Sequence, residues 1–320
     1  MQIILDAAAT FNALPYPALL AELQSTLRDP TVTVPARLIQ PLHGGGSLFV
    51  MPASDARIAI AKLITFTPAN AQHGVPTIQG DVVVFDLVSG KRIAILDGPA
   101  VTARRTAAVS LLAALRLARR TDGPLLIVGA GAQGRAHLDA FHAGLPLQEV
   151  WIASRSVINA DALVRHAQQL GLRAQRIDDP NAALAHCPLV VSTTPAHEVV
   201  LHAMPRADAF IAAVGAFTPQ MVEWDAAVCR AMAVVGTIVV DSRAADHEAG
   251  DLLQAGIDVG SLPTLADVID DPRWRDHPAR RTSGPVFFKS CGWAGWDLAA
   301  ARCITSVVGT EDGVNAVDRC

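Results

Sequence analysis

Along roughly the first hundred positions the apolar residues fall into short segments divided by turn signals; farther on they form short apolar strands alternating with helical stretches. The first part predicts a helix over 15–27 and strands over 31–41, 48–52, 56–66, 78–86 and 91–97, with Gly44-Gly45-Gly46 and Ser89-Gly90 as turns. Several strands in succession with one helix predict a mostly antiparallel sheet, an α+β half. From 99 to 120 the period becomes helical and rich in Ala and Leu, closed by Thr121-Asp122-Gly123-Pro124, which predicts a connecting helix. Strands over 125–128, 149–153, 174–177, 189–192, 209–214 and 234–241 then alternate with helices, the signature of βαβ units around a buried parallel sheet. A last helical stretch, 295–308, follows the apolar segment 286–289 and lies outside that alternation. The expected fold class is α/β, with a doubly wound parallel-sheet domain over 121–292 and an α+β domain over 1–120.

With 320 residues the chain is too long for one ordinary domain and suits two. Half of it is hydrophobic (51%) and only 18% is charged, so a large core can form and disorder is excluded. The formal net charge of −4, with the signs interspersed, offers no basic face for nucleic acid. The start lacks the basic region and cleavage site of a signal peptide, and no apolar run approaches membrane-spanning length; no membrane association and a cytoplasmic location are expected. Five scattered cysteines (Cys187, Cys229, Cys291, Cys303, Cys320) read as buried free thiols, and ten histidines without metal-ligand spacing predict no metal.

Gly129-Ala130-Gly131-Ala132-Gln133-Gly134 directly follows the run Leu125-Leu126-Ile127-Val128 and opens a helical stretch over 135–143. Gly129 permits the tight turn, Gly131 lets the backbone approach a pyrophosphate, and Gly134 allows helix and strand to pack closely, with the phosphates at the helix N-terminus. Strand, glycine turn and helix in one βαβ unit identify a Rossmann dinucleotide site. At the end of the next strand, where an NAD enzyme places an acid for the ribose, the chain reads Ala153-Ser154-Arg155-Ser156. Hydroxyls beside a guanidinium suit a 2′-phosphate, so NADPH is the expected cofactor, with use of NADH left open.

Hydride chemistry asks the protein for orientation and charge, because the cofactor carries the reactive atom. Three cations are candidates to anchor a substrate carboxylate: Arg37, Lys62 and Arg105. Lys62 interrupts an otherwise apolar strand, where an unpaired charge is costly, so it needs an anionic partner or a cleft. Sequence spacing alone does not bring the three together.

The chain resembles the ornithine cyclodeaminase/mu-crystallin family over nearly its whole length. The resemblance rests on the Arg37 strand, Val50-Met51-Pro52, Lys62, Gly74-Val75-Pro76-Thr77, the stretch 102–108 and the glycine loop. It continues through Val214-Gly215-Ala216 and Phe288-Lys289-Ser290-Cys291-Gly292 into Asp297-Leu298-Ala299-Ala300-Ala301. It implies that Arg37, Lys62 and Arg105 bind a substrate carboxylate, and that Thr77, Thr106, Ala132, Gln133, Ser154, Arg155, Thr194, Val214 and Ser290 contact the dinucleotide. It also implies a homodimer assembled through the N-terminal domain, with the C-terminal helix, 293–320, returning to that domain.

The resemblance also bears on the reaction. The cyclodeaminases of the family place an aspartate in a Gly-Gly-Asp segment where this chain has Gly215-Ala216-Phe217, and Phe217 cannot exchange a proton. They also carry an acid near the position of Met51 and an Asp at the end of the second strand of the dinucleotide fold. All three departures point away from cyclodeamination, and with the runs Gly215-Ala216-Phe217-Thr218-Pro219 and Phe288-Lys289-Ser290-Cys291-Gly292 the chain resembles the imine-reductase branch, whose members reduce the cyclic imino acids Δ1-pyrroline-2-carboxylate and Δ1-piperideine-2-carboxylate. An alanine-type amino-acid dehydrogenase, an ornithine cyclodeaminase and a non-enzymatic crystallin-like binding protein are the competing readings. The proton donor is left open between a substrate that arrives protonated, water, and a residue such as Lys62.

Overall fold

The computed structural model describes residues 3–274 and 283–314, the side chains at 71, 72 and 307–314 excepted. It divides into two compact units, 1–105 with 293–320, and 106–292.

The first unit is built on a six-stranded sheet. Its elements are β1 (Ile3–Leu5), α1 (Ala7–Asn12), α2 (Tyr16–Arg28), β2 (Leu38–Leu42), β3 (Gly46–Ser54), β4 (Ile58–Phe66), β5 (Ile78–Asp86) and β6 (Arg92–Asp97), in the sheet order β1-β6-β5-β4-β3-β2. Strands β2 to β6 run antiparallel to their neighbours, and β1 joins the edge parallel to β6. Strand β4 alternates: Ile58, Ile60, Lys62 and Ile64 are buried, whereas Ala59, Ala61, Leu63 and Thr65 face the other way. A side chain at Gly80 would meet the Leu63 carbonyl at 2.1 Å, so the close β4–β5 pairing requires glycine there, at φ +130°.

The buried face is covered by the C-terminal helix, Ala294–Val314, which packs on β3, β4 and β5, and α2 packs against that helix. Arg302 of that helix donates to Asp55 through Nε and to Asp29 through Nη2. The other oxygen of Asp55 accepts the backbone N–H groups of Arg57 (2.6 Å) and Ile58 (2.7 Å), fixing the β3–β4 turn. Arg302 is 3% exposed, and both its charge and that of Asp55 are tolerated because they are paired.

The second unit carries a seven-stranded, all-parallel sheet. The strands are β7 (Leu125–Val128), β8 (Glu149–Ala153), β9 (Arg173–Arg176), β10 (Leu189–Ser192), β11 (Phe210–Ala213), β12 (Thr237–Val240) and β13 (Val286–Lys289), in the order β12-β13-β11-β10-β7-β8-β9. Six of the seven are almost wholly buried and only the edge strand β9 is largely exposed, which explains why their sequences read as continuous apolar runs. The apolar segment 286–289, which the pattern left without an element, is strand β13, inserted between β11 and β12. Its Phe287 meets Trp224 edge-on, with centroids 5.6 Å apart, in the core beside the sheet.

Helix α3 (Gly98–Leu117) leads from the first sheet to the second, and the division between units falls inside it, after Arg105, rather than after residue 120. Its later turns are tied to the parallel-sheet unit: the Ser110 hydroxyl donates to His137 Nε2 (2.9 Å), and Leu111 packs within 2.7 Å of where a side chain on Gly144 would stand. Elsewhere the expected segments shift by a few residues: the 31–41 segment makes an isolated bridge from Thr33 to Ser54 and becomes a continuous strand only at Leu38, so Arg37 precedes its strand, and the 174–177 strand runs Arg173–Arg176. Cys187, Cys229, Cys291 and Cys303 are buried and free, and burial pushes each thiol above its ordinary value; Cys320 lies outside the described residues. Among the described residues no helix is long and apolar enough to cross a membrane.

Candidate functional site

In the parallel sheet the chain turns one way from β7 to β8 and the other way to β10, so the strand order reverses at β7, and the glycine loop leaves from its carboxyl end. Gly129 adopts φ +111°, and its amide donates to the Ala153 carbonyl (2.8 Å). A side chain on Gly129 would lie 2.7 Å from Thr193 Oγ1, and one on Gly134 would lie 2.0 Å from the Gly129 carbonyl. Both glycines are therefore demanded by the loop itself. Gly131 differs: nothing stands within 4 Å of an added side chain there, although φ is an ordinary −87°. It caps helix α4 (Ala132–Gly144) without a side-chain hydrogen bond, leaving the first-turn amides available, and the buried Oε1 of Gln133 has no partner among the described residues. Unpaired donors, an open face at Gly131 and an unsatisfied amide oxygen fit the pyrophosphate of a dinucleotide.

The loop is braced from below. His137 Nδ1 donates to the Gln133 carbonyl (2.8 Å) while Nε2 accepts from Ser110. Burial lowers the His137 pKa to about 4, so the ring is neutral and serves the loop rather than proton transfer.

The other expected dinucleotide residues lie at the carboxyl ends of neighbouring strands. Ser154, Arg155 and Ser156 follow β8; Ser154 and Ser156 are half-buried and Arg155 is exposed. Ser156 has a local task, because its hydroxyl accepts from Asn159 N (3.3 Å) and caps helix α5 (Val157–Gln169). Thr194 follows β10, Val214 follows β11 and Ser290 follows β13, where the Ser290 hydroxyl donates to Asp241 (2.8 Å). Thr106 is buried in α3 within this unit, whereas Thr77 stands half-buried at the start of β5 in the other unit.

One carboxylate absent from the sequence reading organises these strand ends. Glu223, fully buried, accepts from Thr194 N (2.6 Å) and Thr194 Oγ1 (2.8 Å) with one oxygen, and from Ser192 Oγ (3.1 Å) and Gly215 N (2.8 Å) with the other. Its own amide donates to Asp251 (2.6 Å), whose second oxygen accepts from Lys289 Nζ (2.6 Å). Burial and the Asp251 charge push Glu223 above its ordinary value; burial opposes the charge of Lys289, yet the surrounding carboxylates hold its pKa above the usual lysine range. The sequence signal was an acid between the apolar Val222 and Trp224. Beyond Gly215, Phe217 stands half-buried.

The cations meet in the first unit. Lys62 (1% exposed) lies on the covered face of β4, opposite Met51 of β3 and Val82 of β5, so no cross-strand neighbour balances its charge. Asp297, in the first turn of the C-terminal helix, supplies the balance: its Oδ1 accepts from Lys62 Nζ and from Arg105 Nε, both at 3.1 Å. Burial lowers the Lys62 pKa, Asp297 raises it, and Arg105 and Arg37 lower it again, leaving it at about 8. Burial works to raise the Asp297 pKa, but Arg105 and Lys62 hold it below the carboxylate range. Arg37, half-buried just before β2, is near enough to act on Lys62 through its charge. The adjacent Arg104 is used differently, donating to the Leu14 carbonyl (3.0 Å) with its guanidinium between the rings of Phe11 and Tyr16. The structure thus joins Lys62 to Arg105, sets Arg37 within electrostatic reach, and adds Asp297, which sequence reasoning passed over although it is an acid in an apolar helix.

Residues 14–311 match the model of the ornithine cyclodeaminase/mu-crystallin family. The chain is 37% identical over 307 residues to Δ1-pyrroline-2-carboxylate reductase 1 of Burkholderia multivorans, an alignment covering 93% of this chain and 94% of that protein. Its fold is similar to that of an archaeal alanine dehydrogenase dimer with bound NAD, with a TM-score of 0.85 at 22% identity and 97% coverage of both chains. It is also similar to Thermococcus litoralis Δ1-pyrroline-2-carboxylate reductase in complex with NADH and L-proline, with a TM-score of 0.80 at 23% identity, covering 95% of this chain and 96% of that one.

The contrast between two glycines gives a test. Gly131→Ala should fold normally, judged by circular dichroism and melting temperature, yet bind dinucleotide at least about tenfold more weakly in a fluorescence titration. Gly134→Ala should lower the melting temperature as well, since its new methyl group meets the Gly129 carbonyl. Unchanged affinity in Gly131→Ala would show that no ligand approaches the loop there.

Proposed function

The chain belongs to the ornithine cyclodeaminase/mu-crystallin family, and from that premise we propose that it is an NAD(P)H-dependent reductase of cyclic ketimines. Its substrates are Δ1-pyrroline-2-carboxylate, giving L-proline, and Δ1-piperideine-2-carboxylate, giving L-pipecolate. The observation that carries this reading is the buried cluster of Lys62 and Arg105 on one carboxylate oxygen, with Arg37 acting on Lys62. A cluster that retains more positive than negative charge in a buried place is built to receive an anion, and these substrates carry one carboxylate beside the reacting carbon. The similarity to a relative of that activity, and to a fold that binds NADH and L-proline, supports the same reading.

When bound, the dinucleotide supplies a hydride from the nicotinamide C4. The protein's part is positional: Arg37, Lys62 and Arg105 hold the substrate carboxylate and so fix which face of the C=N bond is presented. The retained positive charge disfavours the protonated iminium, and Asp297 moderates that penalty by neutralising one of the cations. With Phe217 and Met51 in place of acids, the chain lacks the groups that would handle the second amine in cyclodeamination. For the cofactor, Gly129, Gly131, Ala132, Gln133 and Gly134 hold the pyrophosphate, and Thr77, Thr106, Thr194, Val214 and Ser290 contribute further contacts. Ser154, Arg155 and Ser156 take the 2′-phosphate of NADPH, with NADH as the weaker alternative.

The same reading includes a homodimer. Strand β2 is exposed along its whole length; its Leu38 and Leu42 lie on one face, which Val50 of β3 and Leu63 of β4 continue across the sheet. An apolar sheet face next to an unpaired edge suits a second copy of the chain.

Oxidation of NADPH should be fastest with the five- and six-membered ketimines; faster turnover of pyruvate with ammonium, or of ornithine, would replace this reading with one of its competitors. Arg155→Asp should raise the KM for NADPH by at least about tenfold more than that for NADH, and equal losses would remove the assignment of the 2′-phosphate. Leu63→Asp should shift the sedimentation coefficient from dimer to monomer, whereas a dimer that survives the change would place its interface elsewhere.

A further inference from the structure

We propose that Asp297 is the positioning residue of the reduction, bridging Lys62 and Arg105 through one carboxylate oxygen so that both cations meet the substrate carboxylate together. The inference rests on the ketimine reading and concerns how its carboxylate-binding cluster is kept competent.

Two contrasts within the molecule separate Asp297 from carboxylates that serve packing. Asp55, Glu223 and Asp251 are also buried, and each uses both oxygens: Asp55 for Arg302 and two backbone amides, Glu223 for four donors, Asp251 for two amides and Lys289. Asp297 uses only Oδ1, for two cations at 3.1 Å, while its buried Oδ2 has no hydrogen-bond partner among the described residues. Asp241, also buried, likewise leaves one oxygen without a partner among the described residues, but its bonded oxygen accepts from neutral donors, the Ser290 hydroxyl and the Gly292 amide, whereas that of Asp297 bridges two cations. The second contrast is between neighbours: Arg104 is fully engaged by a carbonyl and two rings, but among the described residues Arg105 is engaged only by Asp297, through Nε, so its terminal nitrogens remain for an anion.

The groups facing Lys62 come from three directions: Asp297 from the C-terminal helix, Arg105 from α3 and Arg37 from the segment before β2, while its strand neighbours Met51 and Val82 are apolar. Of these only Asp297 favours the ammonium. Without it, burial and two guanidinium groups would all act to remove the Lys62 proton, and the pKa would fall below its value of about 8. The amine would then neither bind a carboxylate nor hold its place beside Arg105.

The test is the pH dependence of kcat/KM for Δ1-pyrroline-2-carboxylate with saturating NADPH, from about pH 6 to about pH 10, corrected for the separately titrated ionisation of the free imine so that it reports groups of the substrate-free enzyme. In the unaltered enzyme the rate should fall as pH rises through about 8, where Lys62 loses its proton. In Asp297→Asn this limb should move down by at least about one pH unit, so that the loss is about tenfold greater on the alkaline side than on the acid side. Lys62→Gln should abolish the limb. An equal loss at every pH with the limb unmoved in Asp297→Asn, or a limb that persists in Lys62→Gln, would overturn the proposal; the second variant decides the matter if the first does not fold. Ketimine turnover by the unaltered enzyme is a separate readout. If it is absent, the functional reading fails, and the same limb is then followed on whichever 2-oxo or amino acid the enzyme does turn over.

Discussion

Keeping an ammonium charged where water hardly reaches it is the constraint on which the rest of this structure depends. Lys62 sits on the covered face of β4 among isoleucines, and an isolated ammonium there would give up its proton. The C-terminal helix prevents this by bringing Asp297 from 235 positions away to within 3.1 Å of Lys62. Arg302 of the same helix, paired with Asp29 and Asp55, fixes where that helix lies. Strand register is part of the same arrangement. A slip of β4 by one residue would turn Lys62 outward and present Ala61 or Leu63 to Asp297, exchanging a paired charge for an unpaired one.

The parallel-sheet unit solves a related problem with the opposite sign. Here a buried carboxylate, Glu223, gathers the ends of β10 and β11 by accepting from Thr194, Ser192 and Gly215, and Lys289 compensates through Asp251. Gly215 is a glycine because a side chain there would lie 2.1 Å from the Thr194 carbonyl and 2.5 Å from Glu223. The strand ends proposed to receive a dinucleotide are thus fixed by a satisfied polar network rather than by apolar packing alone. A rigid scaffold for one ligand and a charge-strained cluster for the other are what hydride transfer to a small anionic substrate asks of a protein.

Much of this was legible from local pattern. The strands 78–86, 125–128, 149–153 and 189–192 stand where the apolar runs and turns put them, because burial and turn geometry are short-range signals. The glycine loop was legible for the same reason, since two of its three glycines, Gly129 and Gly134, answer a local steric demand. Lys62 drew attention as a charge that its strand could not accommodate alone. Its partner did not: Asp297 is remote in sequence, and no spacing rule connects positions 37, 62, 105 and 297. Glu223, Asp251 and Lys289 were missed on the same account, each being a single charge in an apolar context whose meaning appears only once the parallel strands are side by side. Strand β13 escaped notice because three apolar residues before a lysine look alike in a strand and in a buried helix.

The most direct measurement follows the hydride itself. With NADPH deuterated at C4 on the transferred face and Δ1-pyrroline-2-carboxylate as substrate, mass spectrometry should find one deuterium at C2 of the L-proline formed and a matching consumption of cofactor. Proline without deuterium, or product formed while the cofactor is regenerated, would contradict the account, because the dinucleotide would then be recycled rather than spent as the reductant.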